Sequence, residues 1–417
     1  MRSARLLDSE PGERLVNALQ SHGGAARVKV LVFGHWLEVG GTQVNAIELA
    51  AALRDLHGHD ATYFATPGPM LDVVREHGLR FLPAPAANVH PSPARMAELR
   101  RVLRRERFDI VHAWDWWQCL DAYYVAHLAM GVPLAVTDMS MFLQRVLPKA
   151  VPTTFGTPEL VDQARAAGRH RVELLLPPVD IRHNAPSVVD PRSFRRQHGI
   201  GDHEILLVTV SRLSTSMKAE GLRRTIDAVR ILGRELPLRL VIVGEGNGRP
   251  ELEALAARAD RELGRPAVAL AGALLDPRPA YAAADLVIGM GGSSLRAMAF
   301  AKPVVIVGER GFSRPFGPET ADWFYYRGMY GVGDDNPSNE RLAADIRGLA
   351  EHPERLPALG EFSRQFVVRH YALEAVCAKL DAFLRAAANE TPRLGASAAD
   401  ALRTAAVWLR ERRFSWG

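Results

Sequence analysis

Short runs of apolar residues alternate along the chain with longer stretches in which apolar residues recur every three or four positions. The run over 28–34 is rich in β-branched residues and predicts a buried strand, and the stretch over 41–56 predicts the helix that follows it. Strand–helix pairs of this kind recur at 61–77 and 109–130, and a further strand is predicted at 134–139. Repeated βα units predict a parallel sheet that is covered by helices on both faces.

The alternation stops between residues 177 and 203, where a polar stretch contains four prolines. Such a stretch predicts a linker between domains. Because 417 residues suit two domains of about 200, we predict an α/β protein with two doubly wound domains. In the second series the strands are predicted at 205–212, 238–244, 268–272, 286–290 and 303–308, and the helices at 219–232 and 251–263.

The limits of the predicted domains follow from these two series. The first domain covers 27–185 and the second covers 203–370, with a helical extension over 1–26 and C-terminal helices over 371–417. The last stretch, 398–414, has an apolar face with arginines mostly elsewhere. We expect it to pack on the body of the protein or on a second copy in a homodimer, in preference to a membrane surface.

Composition and charge narrow the classes of function. Hydrophobic residues make up 47% of the chain and charged residues 24%, which is typical of a folded soluble enzyme. The net charge of +5 is too small over this length to favour nucleic acid, so small molecules are the expected partners. Two cysteines exclude a disulfide framework, and the absence of a signal-like or long apolar run predicts a cytoplasmic protein.

Three glycine-rich turns come directly after predicted strands. In an open α/β sheet such turns bring backbone N–H groups to an anion at the carboxyl ends of the strands. The first turn ends at residue 42, the second covers 244–248, and the third, over 289–294, carries two hydroxyls at a helix start. The candidate phosphate-binding residues of these turns are Gly40, Gly41, Thr42, Gly244, Gly291, Gly292, Ser293 and Ser294.

Two basic residues flank the start of the first predicted helix of the second domain. Arg212 ends the strand over 205–212, and Lys218 directly precedes the helix over 219–232. Lysine is rare in this chain, with only five among 52 basic residues, so its place here is notable. Cations at these positions neutralise a diphosphate, and we predict that Arg212 and Lys218 bind one.

Six short motifs follow one another along the chain, at 39–41, 109–112, 211–213 with Lys218, 241–246, 281–285 and 297–305. Their order resembles that of the retaining, nucleotide-sugar-dependent glycosyltransferases of family 4 (GT4). The resemblance implies the GT-B fold, in which two Rossmann-like domains face a cleft and the last long helix crosses back to the N-terminal domain. It implies a UDP- or GDP-sugar bound mainly by the C-terminal domain, with its diphosphate near Arg212 and Lys218, and a small-molecule acceptor on the N-terminal side.

The sequence departs from the family at two glutamates that members carry eight residues apart, one near the donor sugar and one at the ribose. Ile288 and Arg296 stand there, so the ribose contact is unassigned, and Arg296 becomes a candidate donor-binding residue. The segments 308–313 and 321–331 resemble glycosyltransferases of bacterial natural-product pathways, which favours secondary metabolism such as antibiotic biosynthesis. No metal and no cofactor is expected.

Candidate catalytic and acceptor-binding residues follow or end two predicted strands of the first domain. Asp138 and His112 are the catalytic candidates, because a carboxyl or imidazole group at a strand end can orient an acceptor. Asp115, Trp114 and Trp116 are the acceptor-binding candidates, the tryptophans by stacking. The resemblance implies transfer with retention, in which the departing phosphate helps to remove the acceptor proton.

Two other functions remain open at this point. The loss of both glutamates, at Ile288 and Arg296, fits a catalytically silent protein that binds a sugar nucleotide or supports a partner. A sugar-nucleotide epimerase on the same two-domain scaffold would need carboxylates or histidines in the cleft, and the sequence offers few. A dinucleotide oxidoreductase is less favoured, because no Gly-x-Gly-x-x-Gly fingerprint is followed by an acidic residue at the expected distance.

Overall fold

Two separate β-sheets, each wrapped by helices, organise the chain. The computed structural model describes residues 26–215, 218–335, 339–390 and 394–414. The helical extension predicted over 1–26 therefore lies almost entirely outside the described residues. Within the described residues, no helix is both long enough and apolar enough to cross a membrane.

The first sheet has seven parallel strands in the order β3-β2-β1-β4-β5-β6-β7. Its strands are β1 (Lys29–Phe33), β2 (Asp60–Ala65), β3 (Arg80–Pro83), β4 (Ile110–Trp114), β5 (Leu134–Asp138), β6 (Thr153–Phe155) and β7 (Val172–Leu174). The helices between them are α1 (Gly41–His57), α2 (Leu71–Glu76), α3 (Pro93–Arg105), α4 (Asp115–Ala122), which continues as a π-helical stretch (Tyr123–Ala129), and α5 (Pro158–Ala166).

Because both faces of the first sheet are buried, its strands appear in the sequence as unbroken apolar runs. On β1, Val30 and Val32 pack into the core beneath α1, whereas Leu31 and Phe33 pack into the core on the opposite face. Successive side chains of a strand point to opposite faces, so each of the two cores receives every second residue.

The second sheet has six strands in the order β10-β9-β8-β11-β12-β13, all parallel except the antiparallel β13 at the edge. Its strands are β8 (Ile205–Val210), β9 (Leu238–Val243), β10 (Val268–Gly272), β11 (Leu286–Gly289), β12 (Val304–Val307) and β13 (Ser313–Pro315). The helices are α6 (Pro191–Gln197), α7 (Ala219–Leu232), α8 (Arg249–Leu263), α9 (Arg278–Ala283), α10 (Gly292–Ala299), α11 (Ala321–Arg327), α12 (Glu340–Ala350), a short 3₁₀ turn (Pro353–Arg355), α13 (Leu356–Tyr371), α14 (Leu373–Ala388) and α15 (Leu394–Phe414).

The chain returns to the first sheet after α13. At the return point the backbone N–H of Val179 donates to Tyr371, and that of Leu373 donates to Val179. Helix α14 then packs against α1 through an apolar face, and Asp381 accepts a hydrogen bond from the buried ring of His59 at 2.5 Å. The expected fold class, two Rossmann-like units with C-terminal helices that cross back, is confirmed.

The segment over 177–203 is more than the linker that its polar composition predicts. It contains α6, and Val179, Phe194 and Ile200 are buried in the core beneath the second sheet. The sequence pattern also missed β3, β6 and β7, because these strands have only three or four residues and too few positions to show a period.

Candidate functional site

Each sheet has one point at which the strand order reverses, and parallel α/β sheets bind ligands there, beyond the carboxyl ends of the strands. In the first sheet this point lies between β1 and β4, and in the second it lies between β8 and β11. The loops after these four strands, with the helices that they lead into, carry most of the residues that the sequence singled out. We call the space between the two sets of loops the cleft.

On the second sheet, Arg212 and Lys218 lie together after β8. The Arg212 side chain is half exposed, whereas burial and the Arg212 charge lower the pKa of Lys218. Lys218 lines one small cavity with Ser211, Gly289 and Ser293. The structure therefore brings the lysine to the third glycine turn, although the two are more than 70 residues apart in sequence.

The third turn leads into α10, and no side chain of the described residues caps the first N–H groups of this helix. Gly291 has φ +60°, and a Cβ added there would meet open space, so the backbone conformation and not crowding requires glycine. The Ser293 hydroxyl donates to the carbonyl of Met290. Ser294 is fully buried, and its hydroxyl oxygen has no partner among the described residues.

The second glycine turn supports the site and does not face it. A Cβ on Gly244 would lie 1.8 Å from the carbonyl oxygen of Ser211, and the Leu213 N–H donates to Glu245 at 2.9 Å. The turn thus packs closely against Ser211 and is hydrogen-bonded to Leu213, the two residues that flank Arg212. The structure gives a reason for glycine at position 244 other than donor binding, because Ser211 approaches closely and the Gly244 N–H donates to the carbonyl of Gly272.

On the facing wall, the first turn leads into α1, which also lacks a side-chain cap. Gly41 is exposed with open space around its α-carbon, Gln43 covers Gly40, and Thr42 is half buried. Glu38 lies in this turn, and its Oε2 is 3.9 Å from Nη1 of Arg212 across the cleft. The start of α1 therefore faces the second sheet.

The positions that depart from the GT4 pattern have different environments. Ile288 is fully buried within β11 and cannot touch a ligand. Arg296 of α10 reaches across the cleft, where its Nη2 lies 3.5 Å from the carboxylate of Glu48 on α1. Burial raises the pKa of Glu48, and the nearby Arg296 charge opposes that shift. Arg296 and Glu48 thus form an ion pair between the two halves of the protein.

A histidine that the sequence reasoning missed lies at the switch point of the first sheet. Nε2 of His35, which follows β1, is 2.6 Å from Oδ2 of Asp115, which follows β4. The other carboxylate oxygen of Asp115 accepts the backbone N–H of Met139 at 2.7 Å. A polar residue two positions after β1 was a signal that could have been used, since β1 is the strand beside the reversal.

Asp138, at the end of β5, lies beneath this pair and is completely buried. Its Oδ1 accepts the Ser140 N–H at 2.9 Å, whereas Oδ2 has no partner within the described part of the chain. Burial, reinforced by the charge of Asp115, raises the pKa of Asp138 to about 7. Asp138 is therefore placed to influence the pair above it, and in this structure it cannot contact an acceptor directly.

Two predicted site residues lie inside the core. His112 is enclosed within β4, its Nε2 lies 2.7 Å from the Thr137 hydroxyl, and burial lowers its pKa to about 3. Trp114, also within β4, is 1% exposed. The catalytic role of His112 and the acceptor-binding role of Trp114 are wrong, because β4 runs to residue 114 and is covered on both faces.

Aromatic side chains do reach solvent at this edge of the first sheet. Trp116 is half buried and lies edge-on against Trp117, which is 41% exposed. Trp36, in the loop after β1, and Phe142, in the loop after β5, are 44% and 62% exposed. The loops around the His35–Asp115 pair thus present flat apolar surfaces.

Two family models match the chain. The model "Glycosyltransferase Family 4" matches residues 39–154, and the model "Glycosyl transferases group 1" matches residues 204–319, so together they cover more than half of the chain. None of the curated proteins compared matches it by sequence.

Many solved structures share the fold. A glycosyltransferase from Rickettsia africae covers 88% of this chain and 100% of its own, at 14% identity and a TM-score of 0.70. Anabaena Alr3699/HepE in complex with UDP and glucose covers 86% of this chain and 100% of its own, at 16% identity and a TM-score of 0.68. A Listeria monocytogenes protein described as a putative UDP-N-acetylglucosamine 2-epimerase covers 88% of this chain and 98% of its own, at 16% identity and a TM-score of 0.61. At these identities the likeness establishes the fold.

Proposed function

Because the chain is a glycosyltransferase of the family 4 type with the GT-B fold, we propose that it transfers a sugar from a UDP- or GDP-sugar to a small-molecule acceptor bound in the cleft. The observation that carries this proposal is the convergence of Arg212, Lys218 and the start of α10 at one switch point. The uncapped start of α1 faces them. This is the arrangement that a diphosphate requires.

Stabilisation of the leaving diphosphate is the main chemical requirement of this reaction. As the bond from the sugar to the diphosphate breaks, negative charge develops on the phosphate oxygens, and cations fixed beside them stabilise it without reorganising. Arg212 offers two N–H groups in a fixed fork, and the partly desolvated ammonium of Lys218 offers a concentrated charge. We propose that these two side chains do this work without a metal ion.

The acceptor side supports an apolar, ring-bearing small molecule. Trp36 in the loop after β1, Trp117 in α4 directly after β4, and Phe142 in the loop after β5 are exposed at one edge of the first sheet. Exposed aromatic rings provide stacking surfaces for a planar or sugar-like acceptor. Such acceptors are common in secondary metabolism, which agrees with the natural-product resemblance of 308–313 and 321–331.

The stereochemical course depends on which group removes the acceptor proton. Removal by the departing phosphate places the acceptor on the face that the nucleotide leaves and gives retention, as the family resemblance implies.

Turnover of a defined panel tests the proposal. Purified protein is incubated with UDP-glucose, UDP-galactose, UDP-N-acetylglucosamine or GDP-mannose and a set of phenolic and other ring-bearing acceptors, with and without EDTA. We expect one donor to yield nucleoside diphosphate and a glycosylated product, unaffected by EDTA. Arg212→Ala should lose this activity, whereas Arg258→Ala, which removes a surface arginine on α8 paired with Glu262, should keep it.

Other outcomes would identify the remaining candidates. Donor binding without turnover would favour a silent sugar-nucleotide-binding protein, the reading that Ile288 and Arg296 motivate. Conversion of the donor sugar without any acceptor would favour an epimerase.

A further inference from the structure

A larger cavity lies at the opposite edge of the second sheet from the cleft. It has a volume of about 430 Å³ and is formed where three parallel strands begin, by residues 202–205 at the start of β8, 284–285 before β11 and 301–303 before β12. The 3₁₀ turn and the first residues of α13 also line it. We call it the amino-edge cavity, because the amino ends of the strands meet there.

The amino-edge cavity is separate from the proposed donor site. It shares no lining residue with the small cavity beside Lys218. Strand β11 connects the two, since it begins at Leu286 beside the amino-edge cavity and ends at Gly289 in the third glycine turn. Four residues of a strand span about 13 Å. A small ligand held in the amino-edge cavity therefore lies outside the cleft, at the other end of the strands.

Hydrogen bonds fix the polar wall of this cavity. Arg195 of α6 donates from Nη1 to Oδ2 of Asp285 at 3.1 Å. Its Nη2 donates to the carbonyls of Gly201 and Glu204 at 3.0 and 2.8 Å. The same oxygen of Asp285 accepts the N–H of Leu206 at 2.7 Å. These contacts pair the charges of Arg195 and Asp285 and hold the loop before β8 against the start of β11.

Lys302 has no partner in this wall. It is half buried directly before β12, and its ammonium makes no hydrogen bond or ion pair with any residue that the structure describes. Burial lowers the pKa of Lys302, the charge of Asp285 opposes this shift and that of Arg195 adds to it. An ammonium that has lost water without gaining an acceptor is stabilised by an anion placed beside it.

The backbone fixes the position of Lys302. Ala301 has φ +55°, a left-handed conformation that is uncommon outside glycine and persists only where the surroundings enforce it. The N–H of Lys302 donates to the carbonyl of Ala297 in α10. On the other side, a Cβ added to Gly360 of α13 would lie 2.0 Å from the carbonyl oxygen of Ala301. Helices α10 and α13 thus set this segment before a ligand binds, which lowers the cost of binding.

The charges and the apolar lining together define the ligand. Asp202, Glu204 and Asp285 line the cavity with Lys302, so a dianion such as phosphate is repelled more strongly than a carboxylate, which carries one charge. Apart from His203, the remaining lining residues are apolar and include three prolines and Leu356. Such a surface buries an apolar body.

We propose that the amino-edge cavity binds a small carboxylic acid with an apolar body, whose carboxylate accepts hydrogen bonds from the Lys302 ammonium. The apolar body lies against Leu356 and the prolines. This site is additional to those of the donor and the acceptor, and it does not rest on the proposed function.

Binding of matched compounds to the wild type tests the class of ligand. 3-Phenylpropionate and 4-methylpentanoate are titrated at neutral pH and observed by saturation-transfer NMR. The comparison compounds are 3-phenylpropionamide and 4-methylpentanamide, which lack the charge, and acetate and inorganic phosphate, which lack the apolar body. We expect a Kd of about 1 mM or tighter for the two acids. Each comparison compound should bind at least about tenfold more weakly.

Variants at Lys302 locate the site. Lys302→Met keeps an unbranched side chain and removes the charge, so it should weaken binding of both acids by about 10–100-fold. Lys302→Arg keeps a cation and should bind the acids more tightly than Lys302→Met. The matched control is Lys379→Met, which removes an exposed lysine from α14 on the first sheet and should bind the acids as the wild type does.

Four results would overturn the proposal: neither acid binds, the amides bind as tightly as the acids, a folded Lys302→Met protein binds the acids as the wild type does, or UDP displaces them. The comparison of acids with amides uses the wild type alone, so it decides the proposal even where a variant does not fold. The readout is binding and not turnover. A protein that binds the acids but transfers no sugar would therefore support this site and refute the proposed function.

Discussion

Replacing Asp138 with asparagine should remove a pH-dependent loss of stability. The folded protein holds this carboxyl completely buried near the charge of Asp115, with one oxygen bonded to Ser140 and the other without a described partner. Asparagine keeps an oxygen for the Ser140 N–H and cannot ionise. Comparison with this variant therefore measures the free energy of unfolding that is lost when the buried carboxyl ionises.

The size of this loss of stability follows from the change in the pKa of Asp138 on folding. Folding raises the pKa of Asp138 from 3.8 to about 7, so between these values the folded state binds a proton that the unfolded state has lost. Protonated Asp138 contributes its full stability below about pH 4, and this contribution falls as pH rises through 7. At about 1.4 kcal/mol per pKa unit, the whole loss is about 4 kcal/mol, of which about 3 kcal/mol lies between pH 5 and pH 8.

Thermal unfolding at a series of pH values measures this effect. Relative to Asp138→Asn, the wild type should lose roughly 6–12 °C in its unfolding midpoint between pH 5 and pH 8, at about 2–4 °C per kcal/mol. Asp72→Asn, which alters an exposed carboxylate on α2, serves as the control and should follow the wild type. Parallel curves for the wild type and Asp138→Asn would show that the buried carboxyl does not titrate in this range and would refute the reasoning.

Three further substitutions test other contacts. Arg296→Ala should destabilise the protein by about 3–5 kcal/mol in denaturant unfolding, because it leaves Glu48 buried without its cation. Adding Glu48→Gln should restore most of the lost stability, and equal stability of the single and double variants would contradict this explanation. Asp381→Asn should weaken the docking of α14 on His59 by about 1–3 kcal/mol, seen as faster hydrogen exchange in that helix and not in α7. Gly291→Ala should cost about 1–3 kcal/mol because of its positive φ, and an unchanged unfolding midpoint would show that the turn relaxes.

The sequence predicted well those features that depend on local pattern. The helix over 219–232 and the strand over 268–272 match α7 and β10 residue for residue, because long amphipathic or apolar runs bounded by turn residues leave few alternatives. Lys218 lies beside the turn over 289–294, as expected of loops that follow parallel strands and meet at one edge of the sheet.

Features that depend on strand order and on which strand residues are enclosed were missed. His35 meets Asp115 only because β4 lies beside β1, and no local pattern specifies that neighbour. The end of β4 at residue 114 was predicted correctly, but His112 and Trp114 lie inside a strand that is buried on both faces, so neither side chain reaches the cleft.

Binding of UDP and GDP, measured by isothermal titration calorimetry on the wild type, Arg212→Ala and Lys218→Ala, tests the central claim most directly. The wild type should bind at least one of the two nucleotides. Each variant should bind that nucleotide roughly 10–100-fold more weakly, because it has lost one charge-assisted contact. Failure of both nucleotides to bind, or affinities that are unchanged in both variants, would contradict a diphosphate site at this edge of the second sheet.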